Sequence, residues 1–397
     1  MERMETLESV GDILRARSDE FRDAVHQRFY QDVLEARQVF PISLRDTHRE
    51  LAGAVAWVME RTPRTGALPP ELLDTLRHLG RDHRRHGFPA EIYPAFAVAL
   101  QHGLRTLEVP EVEAAGRAVE LVCSVMAAAA QEADREGIAP VFSAEVQGVQ
   151  RRSRRISVVR LEAGLPVDYR PGQHLPVTTS YLPGVWRMLS PALPSNDFGQ
   201  LEFHIRTIEG SHVSQLLATP KVGDYWNFGA PSGGLSINGE QDVLMIAHGT
   251  GLAPLRAILF DMLDWPPERR RPRVHLFVAA EYPGELYDLM GLWNLAMVTS
   301  WLSVVPVVEH DTDPWWVGIA GDAPEVPRGL HLRVSGQVGE VVASYGAWAD
   351  RQVLVVGEAT KVHRTVAALI AGETPAANIQ TEAWELADQW PRLQDGQ

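Results

Sequence analysis

Four near-continuous apolar runs, DVLMIA from Asp242, RVHLFVAA from Arg273, LSVVPVVE from Leu302 and RQVLVVG from Arg351, alternate with helical stretches. A strand that is apolar on both faces must be covered on both, and alternation with helices supplies that cover in a parallel sheet. Upstream the texture changes twice. Residues 1–138 are rich in alanine and leucine, with helical periodicity over 51–59, 72–83, 93–104 and 118–130. The segment EGIAP at 136–140 punctuates the change. From Phe142 to about Ile237 the runs are short and alternating, as in RISVVRLE and LEFHIRTIE, and are broken by glycine and proline. That pattern predicts an antiparallel barrel or sandwich. The expected fold is multidomain: all-α over 1–138, an antiparallel β-barrel over 142–238, and a doubly wound α/β domain over 239–391.

The 397 residues are 45% hydrophobic, enough for two or three cores. With 51 acidic and 37 basic residues the formal charge is −14, which argues against nucleic acid or an anionic membrane as partner. Cys123, the only cysteine, reads as a small core residue and permits neither an intrachain disulfide nor a cysteine-ligated iron–sulfur cluster. The amphipathic N-terminus has no secretory apolar stretch, and no later segment approaches a membrane span. The expectation is a cytoplasmic protein without integral membrane association, a monomer or weak dimer.

Gly249-Thr250-Gly251-Leu-Ala-Pro254 joins the run DVLMIAH to the helical run LRAILFDML. Glycines at a strand-to-helix turn let backbone N–H groups approach a pyrophosphate, and the helix N-terminus adds positive potential. In the helical third, His83 continues the stripe Leu72, Leu76, Leu79, whereas His78 projects elsewhere. Gly87 is expected to stop that helix and Pro89 to start the next. An imidazole facing an apolar pocket either bonds a carbonyl or holds an iron porphyrin.

From Phe142 to Trp390 the sequence resembles the ferredoxin-NADP reductase superfamily. The family's Arg-x-Tyr-Ser flavin motif stands as Arg187-Met188-Leu189-Ser190, after PGQH at 171–174. The resemblance implies FAD, with Arg187 on a flavin phosphate, Ser190 near the reactive nitrogen, and weaker stacking at Leu189. It further implies that GSHVS at 210–214, with Gly210, Val213 and Ser214, holds the pyrophosphate. GDYWNFGAPSGG at 223–234 resembles the segment closing the flavin domain. The family's Cys-Gly-Pro is replaced by Val356-Gly357-Glu358, and its terminal Glu-x-aromatic appears as Glu382-Ala383-Trp384, implying that Trp384 covers the flavin. NADP-specific members carry serine and arginine after the second strand, where this chain has Ala279-Ala280-Glu281-Tyr282. A carboxylate repels a 2′-phosphate but accepts a ribose hydroxyl, so NADH is favoured over NADPH. Arg271 and Arg273 precede the strand and are expected at its opposite end.

A globin ahead of such a reductase is the architecture of flavohaemoglobins, and the N-terminal third resembles that globin in part. His83-Arg-Arg-His86-Gly87 followed by Tyr93-Pro94 resembles the proximal motif, implying haem b with His83 on iron and Tyr93 bonded to it. Glu132 and Glu136 are both candidates for the supporting glutamate. His86 is the rival ligand, better suited to a helix C-terminal carbonyl. Phe40 fits the family's porphyrin-packing phenylalanine. Counting back from it puts His26 at the oxygen-binding position, with Tyr30 the alternative one turn on. The distal glutamine is absent, and Thr47 and Leu51 fall near that face. The resemblance implies nitric oxide dioxygenase activity, with NADH, oxygen and nitric oxide as the small-molecule partners. The alternatives are a haem–flavin oxidoreductase for another substrate or peroxide, and a gas- or lipid-sensing globin that regulates a reductase.

Overall fold

The computed structural model describes residues 5–33, 51–182, 185–317 and 333–384. Phe40 and Thr47 lie outside these residues. Between Val141 and Phe142 the chain divides into two compact units.

Among the described residues the first unit is helical: α1 (Glu8–Ala16), α2 (Ser18–Asp32), α3 (Leu51–Arg61), α4 (Pro70–His83), α5 (Tyr93–Thr106) and α6 (Val112–Arg135). Helix α1 packs on α3, α2 on α5, and both α4 and α5 on α6. The expected stripe on α4 buries Leu72 and Leu76 and leaves Leu79 partly covered. Its next member is Gly80, where a Cβ would stand 2.3 Å from the Met126 carbonyl oxygen of α6. Only a residue without a side chain lets the two helices approach so closely. After His83 the chain tightens into a 3₁₀ turn, Arg84–His86, and Gly87 ends it at φ +72°. A second 3₁₀ turn, Ala90–Ile92, follows Pro89 and leads into α5.

The second unit contains two sheets. In the first, β1 (Phe142–Arg151), β2 (Ile156–Ala163), β3 (Leu175–Thr179), β4 (Arg187–Leu189), β5 (Gln200–Arg206) and β6 (Tyr225–Phe228) lie in the order β4-β3-β6-β1-β2-β5. Each neighbouring pair is antiparallel. A bridge between Pro191 and Phe203 carries the end of β4 back to β5 and bends the sheet toward a barrel. The inward residues Val146, Leu161, Leu175, Phe203, Trp226 and Phe228 form its core.

The second sheet holds β7 (Asp242–His248), β8 (Val274–Ala280), β9 (Leu302–Val308), β10 (Val334–Ser335), β11 (Arg351–Glu358) and β12 (Ile379–Trp384), in the order β10-β9-β8-β7-β11-β12. All of its pairs are parallel, as the buried runs require. Helices α8 (Leu252–Leu263), α9 (Leu289–Val298), α10 (Val338–Ser344) and α11 (Ala359–Ala371) connect the strands; the short α7 (His212–Ala218) belongs to the barrel region. Leucines of α8 and α9, with Trp293 of α9, cover one face of the sheet, and α10 and α11 cover the other. From β7 the chain steps to β8 on one side and later returns to β11 on the other. The carboxyl ends of β7 and β11 therefore form a switch point, the place in such sheets where ligands bind.

A buried ionic network ties the two sheets. Glu202 of β5 bonds Arg160 at 2.7 Å, Arg256 of α8 at 2.9 Å and His204 at 3.2 Å. Arg256 also meets Asp288 at 2.9 Å, and His204 Nδ1 meets the Tyr287 hydroxyl at 2.9 Å.

Candidate functional site

In the helical unit, His83 closes α4 and Tyr93 opens α5, and the two 3₁₀ turns between them bring them together. The Tyr93 hydroxyl lies 3.3 Å from His83 Nδ1. Desolvation, with a smaller contribution from Arg85, lowers the imidazole pKa to about 4, so it is neutral at pH 7. Burial, the Cys123 thiol and Asp82 together push Tyr93 well above the usual phenol range. If His83 Nδ1–H donates to the tyrosine oxygen, Nε2 keeps its lone pair for a metal.

Neither expected supporting glutamate takes part. Glu132 pairs with Arg81 at 2.8 Å on the surface, and Glu136 is exposed at the end of α6. The buried carboxylate beside Tyr93 is Asp82, itself paired with Arg85. His86 is exposed, and its Nε2 accepts from Arg85 at 3.1 Å. On α2, His26 is 6% exposed rather than solvent-facing, and burial ahead of Arg22 lowers its pKa. Its ring centre is 5.7 Å from that of Tyr30, one turn on. Leu51 begins α3 and is partly covered.

At the switch point, Gly251 is packed against β11: a Cβ there would stand 2.3 Å from the Val356 carbonyl oxygen. Thr250 is half-buried, and Pro254 is buried in the first turn of α8. Val356 is buried, and Gly357 has φ +151°. The Arg206 guanidinium stands against this turn, 3.5 Å from where a Gly249 Cβ would be. His248, the residue before the turn, is buried, with Nε2 at 2.9 Å from the Thr365 hydroxyl. Desolvation and Lys361 lower its pKa to about 4.

His83 and His248 thus have folded pKa values near 4 against an ordinary 6.5. Below 6.5 the unfolded chain binds protons that the folded chain refuses, so stability is full above pH 6.5 and is lost as pH falls toward 4. Each group contributes a slope of up to about 1.4 kcal/mol per pH unit in that window. Thermal midpoints measured from pH 7.5 to 4.5 should fall steeply below pH 6.5. His248→Asn should flatten the slope, and an unchanged slope would remove His248 from this account.

Glu281 follows β8, as expected, but its carboxylate is not bare. Arg155, from the β1–β2 hairpin, meets it at 3.1 Å, and Arg206 of β5 lies 3.9 Å away. Arg155 also pairs with Glu285 at 2.5 Å and covers the Trp316 ring at 4.7 Å. Tyr282 stacks on His310 with ring centres 5.0 Å apart. Arg271 and Arg273 sit at the opposite end of the sheet, bonded to Met262 and Asp242. The repulsion expected from Glu281 alone is therefore offset by guanidinium groups of the barrel.

On the barrel side, Arg187 is exposed and donates to the Trp186 carbonyl at 2.8 Å, while Leu189 packs on the barrel core. Ser190 Oγ donates to Glu382 Oε1 of β12 at 3.1 Å. His174 Nδ1 approaches the same oxygen at 3.3 Å. In the 210–214 loop, Gly210 adopts φ +79° and Val213 packs against the barrel core. The Ser214 hydroxyl accepts from Ile208 N at 2.9 Å and donates to Ser211 O at 3.1 Å, so it ties the loop together rather than standing as a ready ligand donor. Trp384 pairs with Glu358 in the β11–β12 register and packs on the core of the parallel sheet. Glu382 Oε2 is buried without a hydrogen-bond partner among the described residues. Buried polar atoms are normally hydrogen-bonded, so this oxygen has capacity for a further donor.

Arg155, Arg206 and His174 had no assigned role from sequence. Their partners lie as far as 208 residues away in sequence, from His174 to Glu382, and the signal that existed was the PGQH segment itself.

Comparison with known proteins fits this geometry. The model of the oxidoreductase FAD-binding domain matches residues 144–237. The reductase component of phenol 2-monooxygenase from Pseudomonas sp. (strain CF600) is 29% identical over 175 residues, 43% of this chain and 48% of that protein. A ferredoxin–NAD(P)+ reductase from Metapseudomonas resinovorans is 27% identical over 247 residues, 61% of this chain and 69% of that one. The chain thus spans about half to two thirds of the length of these relatives. The crystal structure of a flavohemoglobin from Malassezia yamatoensis shares the fold at a TM-score of 0.64 and 16% identity, over 96% of this chain and 99% of that one. The barrel region is a FAD-binding oxidoreductase domain of the ferredoxin reductase type.

Proposed function

We propose that the chain is a flavohaemoprotein oxidoreductase that passes electrons from NADH through FAD to haem b, and that the reaction served is conversion of nitric oxide and oxygen to nitrate. The observation that carries this reading is the 3.3 Å contact between His83 Nδ1 and Tyr93 on a helical unit joined to a FAD-binding domain. The likeness of fold to a flavohemoglobin along nearly the whole chain supports it.

Bound FAD supplies conversion of a two-electron hydride into single electrons, and bound haem supplies the iron where the two gases meet. The chain's residues do the rest. His83, neutral and oriented by Tyr93, offers Nε2 to the iron. His26 is assigned the distal side, where a ring N–H donates to a ligand. Arg187 and the 210–214 backbone are assigned to the flavin phosphates, and Ser190 with Glu382 to the flavin edge. The Gly249–Gly251 turn and Arg206 take the nicotinamide cofactor's pyrophosphate, and Glu281 takes a ribose hydroxyl.

The purified protein should hold one iron and one flavin per chain, and His83→Ala should lose the haem absorption band while keeping FAD. Rapid mixing of the NADH-reduced, air-equilibrated protein with nitric oxide should yield nitrate stoichiometrically. Full haem retention by His83→Ala, or nitric oxide surviving the mixing, would end this reading. A second reading, electron delivery to a separate oxygenase, is favoured by relatives such as the reductase component of phenol 2-monooxygenase. It predicts flavin without iron.

Cofactor choice gives a further test. Because Arg155 and Arg206 offset Glu281, the preference for NADH should be modest in the unaltered protein. Arg155→Ala uncovers the carboxylate and should raise the NADH-to-NADPH ratio of kcat/KM about tenfold, the equivalent of roughly 1.4 kcal/mol. If the ratio does not move, Arg155 does not face the 2′ position.

A further inference from the structure

A cavity of about 390 Å³ lies at the amino end of the parallel sheet, away from the switch point. Small-molecule sites are commonly of this size. Buried Phe277 of β8 and Val305 of β9 line its apolar side. Tyr345 and Trp348, from the loop between α10 and β11, add two further rings. The Trp348 ring centre is 6.4 Å from that of Phe277, edge to face, and the Tyr345 ring centre is 5.9 Å from it. Trp348 is held at both ends. Its backbone N–H donates to the Thr374 hydroxyl at 3.4 Å, and its indole Nε1–H donates to the Val342 carbonyl of α10 at 3.1 Å. With its polar atom already bonded, the indole has only its apolar ring to offer a ligand.

Arg351, the first residue of β11, supplies a cation on the same cavity wall. Its side chain is 17% exposed, and its guanidinium carbon stands 5.1 Å from the centre of the Trp348 ring. Nη1 donates to His275 Nδ1 at 3.1 Å. A guanidinium cannot accept, so that ring nitrogen carries no proton and the imidazole is neutral. Arg351 Nε lies 3.7 Å from Asp350 Oδ1, beyond hydrogen-bond range, and the Asp350 side chain is 78% exposed. The planar fork of five N–H donors therefore keeps donors for an incoming anion.

We propose that this cavity binds a planar aromatic carboxylate of one or two fused rings. The ring lies among Phe277, Tyr345 and Trp348, and the carboxylate meets Arg351. None of these residues is among those assigned to haem, FAD or NADH, so the site goes beyond the electron-transfer reading and does not depend on it. Charge selects the carboxylate over a phosphate. One guanidinium balances a monoanion, whereas a dianion would leave excess negative charge facing Asp350 on a chain whose formal charge is already −14.

Titration calorimetry on the full-length protein tests this with three probes: 2-naphthoate, its neutral analogue 2-naphthamide, and adenosine monophosphate as a dianionic aromatic. 2-Naphthoate should bind once per chain and about tenfold more tightly than the amide, as a charge-assisted hydrogen bond implies. Arg351→Gln should weaken 2-naphthoate about tenfold and leave the amide unchanged, which also shows that the cavity has kept its shape. Tyr345→Ala removes a ring that is 62% exposed and should weaken both ligands about threefold, the worth of one aromatic contact. Saturating NADH should not displace 2-naphthoate. Absence of saturable 2-naphthoate binding overturns the proposal. So does equal affinity for acid and amide in the unaltered protein, a comparison that needs no variant to fold. Displacement by NADH, tighter binding of adenosine monophosphate, or an unmoved 2-naphthoate affinity in either variant overturns it as well.

Discussion

Glu202→Ala should lower the stability of the second unit by about 3–5 kcal/mol, the cost of removing one partner from a buried charge network. Glu202 is 3% exposed on β5 and faces Arg160, Arg256 and His204. These partners outweigh its burial and hold its pKa at about 2 against an ordinary 4.5. At about 1.4 kcal/mol per unit, that shift alone corresponds to roughly 3 kcal/mol. Its sign is that of a depressed carboxylate: the contribution is full above pH 4.5 and disappears as pH falls toward 2. Truncation leaves the Arg256 guanidinium, 13% exposed, with Asp288 as its remaining charge partner, and strips His204 of its carboxylate. Urea unfolding followed by tryptophan fluorescence suits the measurement, because Trp57 is the only tryptophan before residue 142. A loss under 1 kcal/mol at pH 7 would show that the network is hydrated and not a tie between the sheets.

Gly251→Ala should be the most damaging small substitution at the switch point. The added methyl would meet the Val356 carbonyl oxygen at 2.3 Å and the Gly357 nitrogen at 3.1 Å. Both are backbone atoms of a central strand, so no side chain can rotate away. Overpacking of this kind typically costs about 1–3 kcal/mol, and here relief requires the turn to lift off β11. The N–H groups of that turn are the ones assigned to the nicotinamide cofactor, so reduction by NADH should fall at least about tenfold for each 1.4 kcal/mol of lost binding. Reduction of bound flavin by dithionite should be unaffected. Normal NADH kinetics in Gly251→Ala would mean that the cofactor binds elsewhere.

What the sequence revealed and what it hid divide along one physical line. Periodicity and turn chemistry act over a few residues, and they foretold the parallel strands, the Gly249–Gly251 turn and the helix ending near Gly87, whereas the closeness of His83 and Tyr93 was implied by the resemblance to the proximal motif. Ion pairs formed across the fold leave no local trace. Glu281 looked like an isolated charge because Arg155 is 126 residues away in sequence. Glu132 and Glu136 looked suitable because spacing along α6 says nothing of the pull of Arg81 or of solvent. Ser214 carried the right hydroxyl, yet its own loop consumes it. Asp82, which acts on Tyr93 from within the core, was passed over because a buried carboxylate is a poor guess without its partner.

The bond between Ser190 and Glu382 joins residues 192 positions apart, and its acceptor lies on the last strand of the parallel sheet. During vectorial synthesis the barrel strands emerge first and have every partner they need. The carboxylate reaches Ser190 only once β11 is in place for β12 to dock against. A partly made chain that has captured flavin would therefore lack this acid group. Completion of the Ser190 hydrogen bond is therefore set by the order in which the chain is made.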